Sequence, residues 1–114
     1  MEEIELVLIA NAREYAKNAL EAYKRKEFNT CVTLFFKTIS ALSDLYIFRK
    51  EGITPSSNKN RFRILESKYP QIYEIIDKDF PFYQDSYKAK LDKETSDILY
   101  EDVEKLSKIL NIEL

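Results

Sequence analysis

Residues 29–52, NTCVTLFFKTISALSDLYIFRKEG, decide the fold class. The stretch is apolar over most of its length, and its exceptions Thr33, Lys37, Ser40 and Asp44 fall on one side at 100° per residue. A helix with one narrow polar stripe belongs in the middle of a helical bundle, with only that stripe facing water, a partner or a cleft. Asn29 or Thr30 is expected to cap its start, and Gly52 stands where a left-handed residue closes a helix.

Working outward, residues 3–26 repeat Ile4, Leu8, Ala12, Tyr15, Ala19 and Tyr23 at helical spacing, which predicts a first helix with that face inward. Early acids (Glu2, Glu3, Glu5) and late bases (Lys24, Arg25, Lys26) suit its dipole. After the turn at Ile53–Ser57, a third helix is expected over Asn58–Lys68, with Phe62 and Leu65 inward. Pro70 is placed to open a fourth piece that runs to Lys78, and Phe80–Pro81–Phe82–Tyr83 reads as a second break. Asp92 is expected to cap a last helix, Lys93–Leu110, whose apolar positions Ile98, Leu99, Val103, Leu106 and Leu110 fit one face. One Gly and three Pro in 114 residues argue against a many-stranded β fold. The expectation is one all-α domain over residues 1–114, an antiparallel four- to five-helix up-and-down bundle.

Composition removes several chemistries. There is no histidine, so a Ser-His-Asp or Cys-His device cannot be built from this chain alone. The single Cys31 excludes an internal disulfide and a Cys-type zinc site, and suggests a reducing compartment. The single glycine, Gly52, excludes a P-loop or dinucleotide fingerprint. No cofactor and no metal are expected. Lys37, Asp44 and Arg49 interrupt the longest apolar run, and no signal-peptide pattern opens the chain, so the expected location is cytoplasmic, with no membrane segment.

Net charge is −2, but six bases and two acids between Arg49 and Lys68 make that segment +4 and the rest −6. A basic patch on an acidic body can bind phosphate. A solvated helix face explains the same charges. Tyr15, Tyr23, Tyr46, Tyr73, Tyr87 and Tyr100 are able to stack on bases. At helical spacing they equally read as core residues with rim hydroxyls.

The run from Ala12-Arg13-Glu14-Tyr15-Ala16 to Tyr23, then Phe28-Asn29 and the aliphatic-aromatic second helix, resembles the start of a HEPN domain (higher eukaryotes and prokaryotes nucleotide-binding). The polar turn Gly52–Phe62 and the later Asp85-Ser86-Tyr87-Lys88 extend the resemblance over Asn11–Leu110. It implies an α-helical bundle that is usually a homodimer. Many members are RNases with an Arg-x(4–6)-His motif, and others accompany a minimal nucleotidyltransferase in a toxin–antitoxin pair. A chain without histidine lacks that motif.

Three functional expectations stand side by side. The first is a non-catalytic HEPN-like binding protein that pairs as a homodimer and binds a nucleotidyltransferase partner, RNA or nucleotide. Asn58, Lys59, Arg61 and Arg63 would then form the nucleic-acid surface, with Lys59 and Arg63 sharing a face. The second is a histidine-free RNase in which Asp44, Lys37, Asn58, Arg61 and Tyr87 converge on one cleft. The third is a purely structural, self-associating subunit.

Overall fold

In the computed structural model, which describes residues 2–114, the chain forms α1 (Glu3–Lys24), α2 (Phe28–Glu51), α3 (Asn58–Lys68), α4 (Pro70–Asp85) and α5 (Lys93–Leu110). It is an all-α five-helix bundle with antiparallel packing. The apolar run of α2 forms its axis, with Phe35, Ile39, Leu42, Leu45 and Ile47 fully buried. The polar stripe lies on the outside: Lys37 is exposed, and Thr33, Ser40 and Asp44 are half-buried.

Helix α1 runs antiparallel to α2, with Glu5 meeting Arg49 at 3.3 Å. Helix α4 is also antiparallel to α2, since Phe36 stacks on Tyr83 at 4.7 Å and Tyr46 meets Tyr69 at 5.2 Å. Helix α5 runs parallel to α2: Phe35 stacks on Tyr100 at 5.2 Å, and Arg49 donates to the Leu110 carbonyl at 2.6 Å. It is therefore antiparallel to α1, with the Tyr23 hydroxyl on Asp97 at 2.7 Å and Arg13 on the Glu113 carbonyl at 3.0 Å.

The structure departs from the sequence reading in four places. The buried seam of α1 is Ile9, Ala12, Ala16, Ala19 and Ala22, while Ile4, Leu8, Tyr15 and Tyr23 are only half-buried. Small side chains let α1 lie close along α2, and the larger residues flank that line. The start of α2 carries no side-chain cap; its N-cap is Glu27. Asn29 instead donates to the Ser86 and Ala89 carbonyls (3.0 and 2.7 Å) and accepts from the Leu91 amide (3.0 Å), fastening the α4–α5 loop to α2.

Helix α4 passes through Pro81 without a break. Proline removes the hydrogen bond to the carbonyl four residues back, but Asp77 and Pro81 are both exposed, so water can satisfy that carbonyl. Phe80 and Tyr83 hold the last turns of α4 against Phe36. The fourth departure concerns α2, which is long and apolar enough, on length and composition, to cross a membrane. In the bundle, 61% of its most apolar window is buried by the other helices.

The expected signals at the end of α2 and at the start of α5 are present. Gly52 is left-handed at φ 73, and the Asp92 carboxylate accepts from the Thr95 amide at 3.0 Å. The α1–α2 turn uses a less suitable residue. Lys26 sits at φ 61, with Lys26 N–H on the Tyr23 carbonyl and Glu27 N–H on the Ala22 carbonyl, the bond pair of a Schellman closure. A left-handed lysine carries Cβ strain that glycine does not. Lys26→Gly is therefore expected to raise the unfolding free energy by about 1 kcal/mol, read as a higher urea midpoint at unchanged slope; a lower midpoint would refute the assignment of strain to this turn.

Candidate nucleic-acid interface

The outer face of α2 meets the start of α3. Ser57 caps α3 by accepting from the Asn60 amide at 3.0 Å, and the Asn60 side chain accepts from the Ser56 amide at 3.0 Å. These two bonds set the first turn of α3 so that Arg61 faces α2. Its guanidinium holds Asp44 through two bonds, 2.6 Å to Oδ1 and 2.9 Å to Oδ2, and its Nη1 donates to Asn58 Oδ1 at 2.8 Å. Their side chains are only 14% (Asp44) and 16% (Arg61) exposed, so this fork-to-fork pair is the best-sheltered ion pair between α2 and α3.

Half of the basic Arg49–Lys68 segment is thereby neutralised. Arg61 is on Asp44, Arg49 on Glu5, and Lys68 on Glu51 at 3.0 Å. Lys50 lies 5.5 Å from the centre of the Tyr46 ring. Among the described residues, no ion pair or hydrogen bond engages the side chains of Lys59 and Arg63, and both are exposed. Four apart on α3, they present two cations on one face.

The other two sequence candidates lie apart from this cluster, Lys37 on α2 and Tyr87 just after the end of α4. Lys37 is seven residues before Asp44 on the same stripe, about 10 Å along the axis at the usual rise per residue. Tyr87 is 75% exposed, and its hydroxyl pairs with that of Tyr83 at 2.9 Å. Tyr83 in turn stacks on Phe36, the residue next to Lys37. No hydrogen bond or ion pair among the described residues joins Lys37 or Tyr87 to the Asp44–Arg61–Asn58 cluster. The candidates thus form two groups on one face, and not one converged cleft.

Between the groups runs an aromatic row. Tyr87 meets Tyr83 at 5.6 Å, Phe80 meets Phe62 at 5.2 Å, and Phe62 meets Tyr73 at 6.3 Å. Most of these rings are half-buried; Tyr87 alone among the tyrosines stands clear of the body. Tyr23 and Tyr100 pack instead at the α1–α5 seam, where Tyr23 meets Tyr100 edge-on at 6.4 Å.

The α4–α5 seam holds a feature that the helical periodicity hid. Asp79 is fully buried, with neither carboxylate oxygen on a hydrogen-bond donor, and Asp102 beside it is 2% exposed. Lys78 reaches Asp102 at 2.9 Å, and Lys105 stands 3.9 Å from it. Burial, and then the neighbouring Asp102 carboxyl, push Asp79 up to about 9. Burial thus favours the neutral, protonated form of Asp79. Burial likewise pushes the Cys31 thiol up to about 11, which makes it a poor nucleophile. Among the described residues no group of three or more histidine, cysteine or acidic side chains is placed to hold a metal ion.

No family model matches the chain. No curated protein and no solved structure matches it either.

The buried acid pair has a signed consequence. A carboxyl with a raised folded-state pKa takes up a proton on folding, so its stabilising contribution is full below about pH 4 and is lost as pH climbs toward about 9. Asp79→Asn keeps an amide donor for Asp102 and removes the titration. Its urea midpoint should fall less between pH 5 and pH 9 than that of the parent, so that the variant gains on the parent as pH rises. Parallel pH profiles for the two proteins would show that Asp79 does not titrate this way.

Proposed function

We propose that the chain is a non-catalytic, HEPN-like binding protein that holds single-stranded RNA along the α2–α3 face. The observation that carries this reading is the closed Asp44–Arg61–Asn58 cluster beside the unengaged Lys59 and Arg63. Asp44 already accepts two guanidinium bonds, which disfavours proton abstraction by its carboxylate. Arg61 is neutralised, and so offers less to a developing phosphorane than a free arginine would. Lys59 and Arg63 have the exposure and spacing for two phosphates, Lys37 adds a third cation on the same side of the molecule, and Tyr87 offers a free ring for one base.

Self-association and a partner belong to the same reading. Leu6 and Val7 on α1 are large apolar side chains about half exposed, and Val7 shares a shallow hollow with Ile4 and Phe48. An apolar end of this kind favours a homodimer. The HEPN resemblance adds a minimal nucleotidyltransferase as the expected partner.

The test is fluorescence anisotropy with a labelled single-stranded oligoribonucleotide across a salt series. Binding should weaken steeply with salt, and Lys59→Glu/Arg63→Glu should lower affinity at least tenfold. The variant's log–log salt slope should be shallower by about 0.7 for each phosphate that the protein no longer neutralises. Equal affinity of parent and variant, or binding that ignores salt, would remove this surface from consideration. Cleavage of the oligonucleotide that disappears in Asp44→Asn would replace the binding reading with the histidine-free RNase.

A further inference from the structure

The loop between α4 and α5, residues 86–91, is bonded to the first turns of α2. Asn29 donates to the Ser86 and Ala89 carbonyls and accepts from the Leu91 amide. One turn further along α2, Thr33 shares a hydroxyl–hydroxyl bond with Ser86 at 3.0 Å. Thr33 belongs to the polar stripe and stands one turn before Lys37. The loop therefore lies beside that stripe, toward the opposite end of α2 from the Asp44–Arg61 pair.

This loop presents a basic and aromatic surface. Tyr87, Lys88, Ala89 and Lys90 are all exposed, and residues 86–91 contain no acid. Lys26, in the α1–α2 turn, is exposed too, and shares a hollow of about 250 Å³ with Lys90 and Asn29. Among the described residues, no ion pair or hydrogen bond engages the side chains of Lys26, Lys88 or Lys90. Two of the acids close by in the chain are engaged, Glu27 with Arg25 at 2.9 Å and Asp92 with the start of α5. Asp85 and Glu94 take part in none of the described ion pairs, so the local basic excess belongs to the loop itself and to Lys26. The three bonds from Asn29 fix the loop backbone in advance, which lowers the ordering cost of a contact made there.

We propose that this loop is a second anchor for the RNA strand held on the α2–α3 face, so that the strand follows the polar stripe from Lys59 and Arg63 to Lys88 and Lys90. The inference rests on the RNA reading above and specifies the strand that the surface takes. Asn29 and Asp44 are fifteen residues apart on α2, about 22 Å at the helical rise, with Lys37 midway. A ligand that meets both ends is a strand of roughly four or more nucleotides. Its phosphates lie on Lys59, Arg63 and Lys37, one base stacks on Tyr87, and the next phosphates reach Lys88 and Lys90. A single strand suits this order, because a duplex keeps its bases stacked on one another and away from Tyr87.

The experiment measures the affinity of the full chain for labelled oligouridylates of increasing length, by fluorescence anisotropy across a salt series. Parent affinity should climb with length and level off once the strand reaches the loop. Lys88→Glu/Lys90→Glu should bind the long strands at least tenfold more weakly and with a shallower salt slope. Strands too short to span the stripe should bind this variant as they bind the parent. Lys17→Glu/Lys108→Glu makes the same change of net charge on the α1–α5 side and should stay within about twofold of the parent at physiological salt. Circular dichroism checks that both variants keep the bundle. Long strands that bind Lys88→Glu/Lys90→Glu as tightly as the parent would overturn this inference, and if Lys59→Glu/Arg63→Glu still loses affinity, the α3 surface stands without the loop. An equal loss in Lys17→Glu/Lys108→Glu would reduce the effect to net charge and overturn it as well. If no strand of any length binds, both readings fail together.

Discussion

Four of the five helices exist in this arrangement because α2 must be covered. Its apolar side chains point in nearly every direction, and Phe35, Ile39, Leu42, Leu45 and Ile47 reach essentially zero exposure only when α1, α4 and α5 all lie against it. Burying a side chain of this size contributes roughly 1.5–3 kcal/mol, so no neighbour can be removed without a large loss of stability. The alanine seam of α1 allows one close approach, and the aromatic side of α4 fills a wider one. The parallel course of α5 follows from its place in the chain, two helical reversals after α2. Helix α3 has a single buried residue, Leu65, and is held by that residue, by the half-buried Phe62 and Ile64 and by the Asp44–Arg61 pair.

That pair shows how the one polar strip of α2 is managed. An aspartate on a core helix needs either water or a charged partner, and Arg61 supplies both a countercharge and a planar two-point fit. Asn58 takes a further guanidinium N–H, so little of the arginine's donor capacity is left unspecified. The α4–α5 seam solves a similar problem differently. There burial favours the neutral form of Asp79, and two lysines reach in from the surface toward Asp102. The first solution yields a rigid joint; the second ties the joint's strength to pH.

Much of the bundle is legible in the amino-acid order because local chemistry and global packing agree. Gly52, Pro70 and Asp92 each sit where their backbone or side chain is needed, and the helix limits fall within a few residues of those marks. The departures share a cause: a residue with a strong local meaning serves something non-local. Asn29 resembles a cap but serves a loop sixty residues away. Pro81 resembles a break but lies on a solvated side of α4. Side-chain size points to one inward face of α1, whereas close approach to α2 selects alanine. Asp79 and Asp102 are invisible for the opposite reason: isolated acids within amphipathic helices look like surface residues, and only the meeting of α4 with α5 buries both. At the candidate interface, helical spacing identifies Lys59 and Arg63 as a pair but leaves Arg61 beside them as an equal. Its engagement by Asp44, seventeen residues earlier, depends on how α3 folds back over α2.

The two faces of α2 also explain why a chain with a net charge of −2 carries more than one electrostatic character. On the α3 side, opposite charges have been brought together, so the cations left over are those with no acid in reach. On the α1–α5 side, Glu21 is met by Lys24 of its own helix at 3.6 Å, and Lys17, Glu104 and Lys108 take part in none of the described ion pairs. The first arrangement uses charge to hold the fold and leaves a small basic remainder; the second leaves its charges to the solvent.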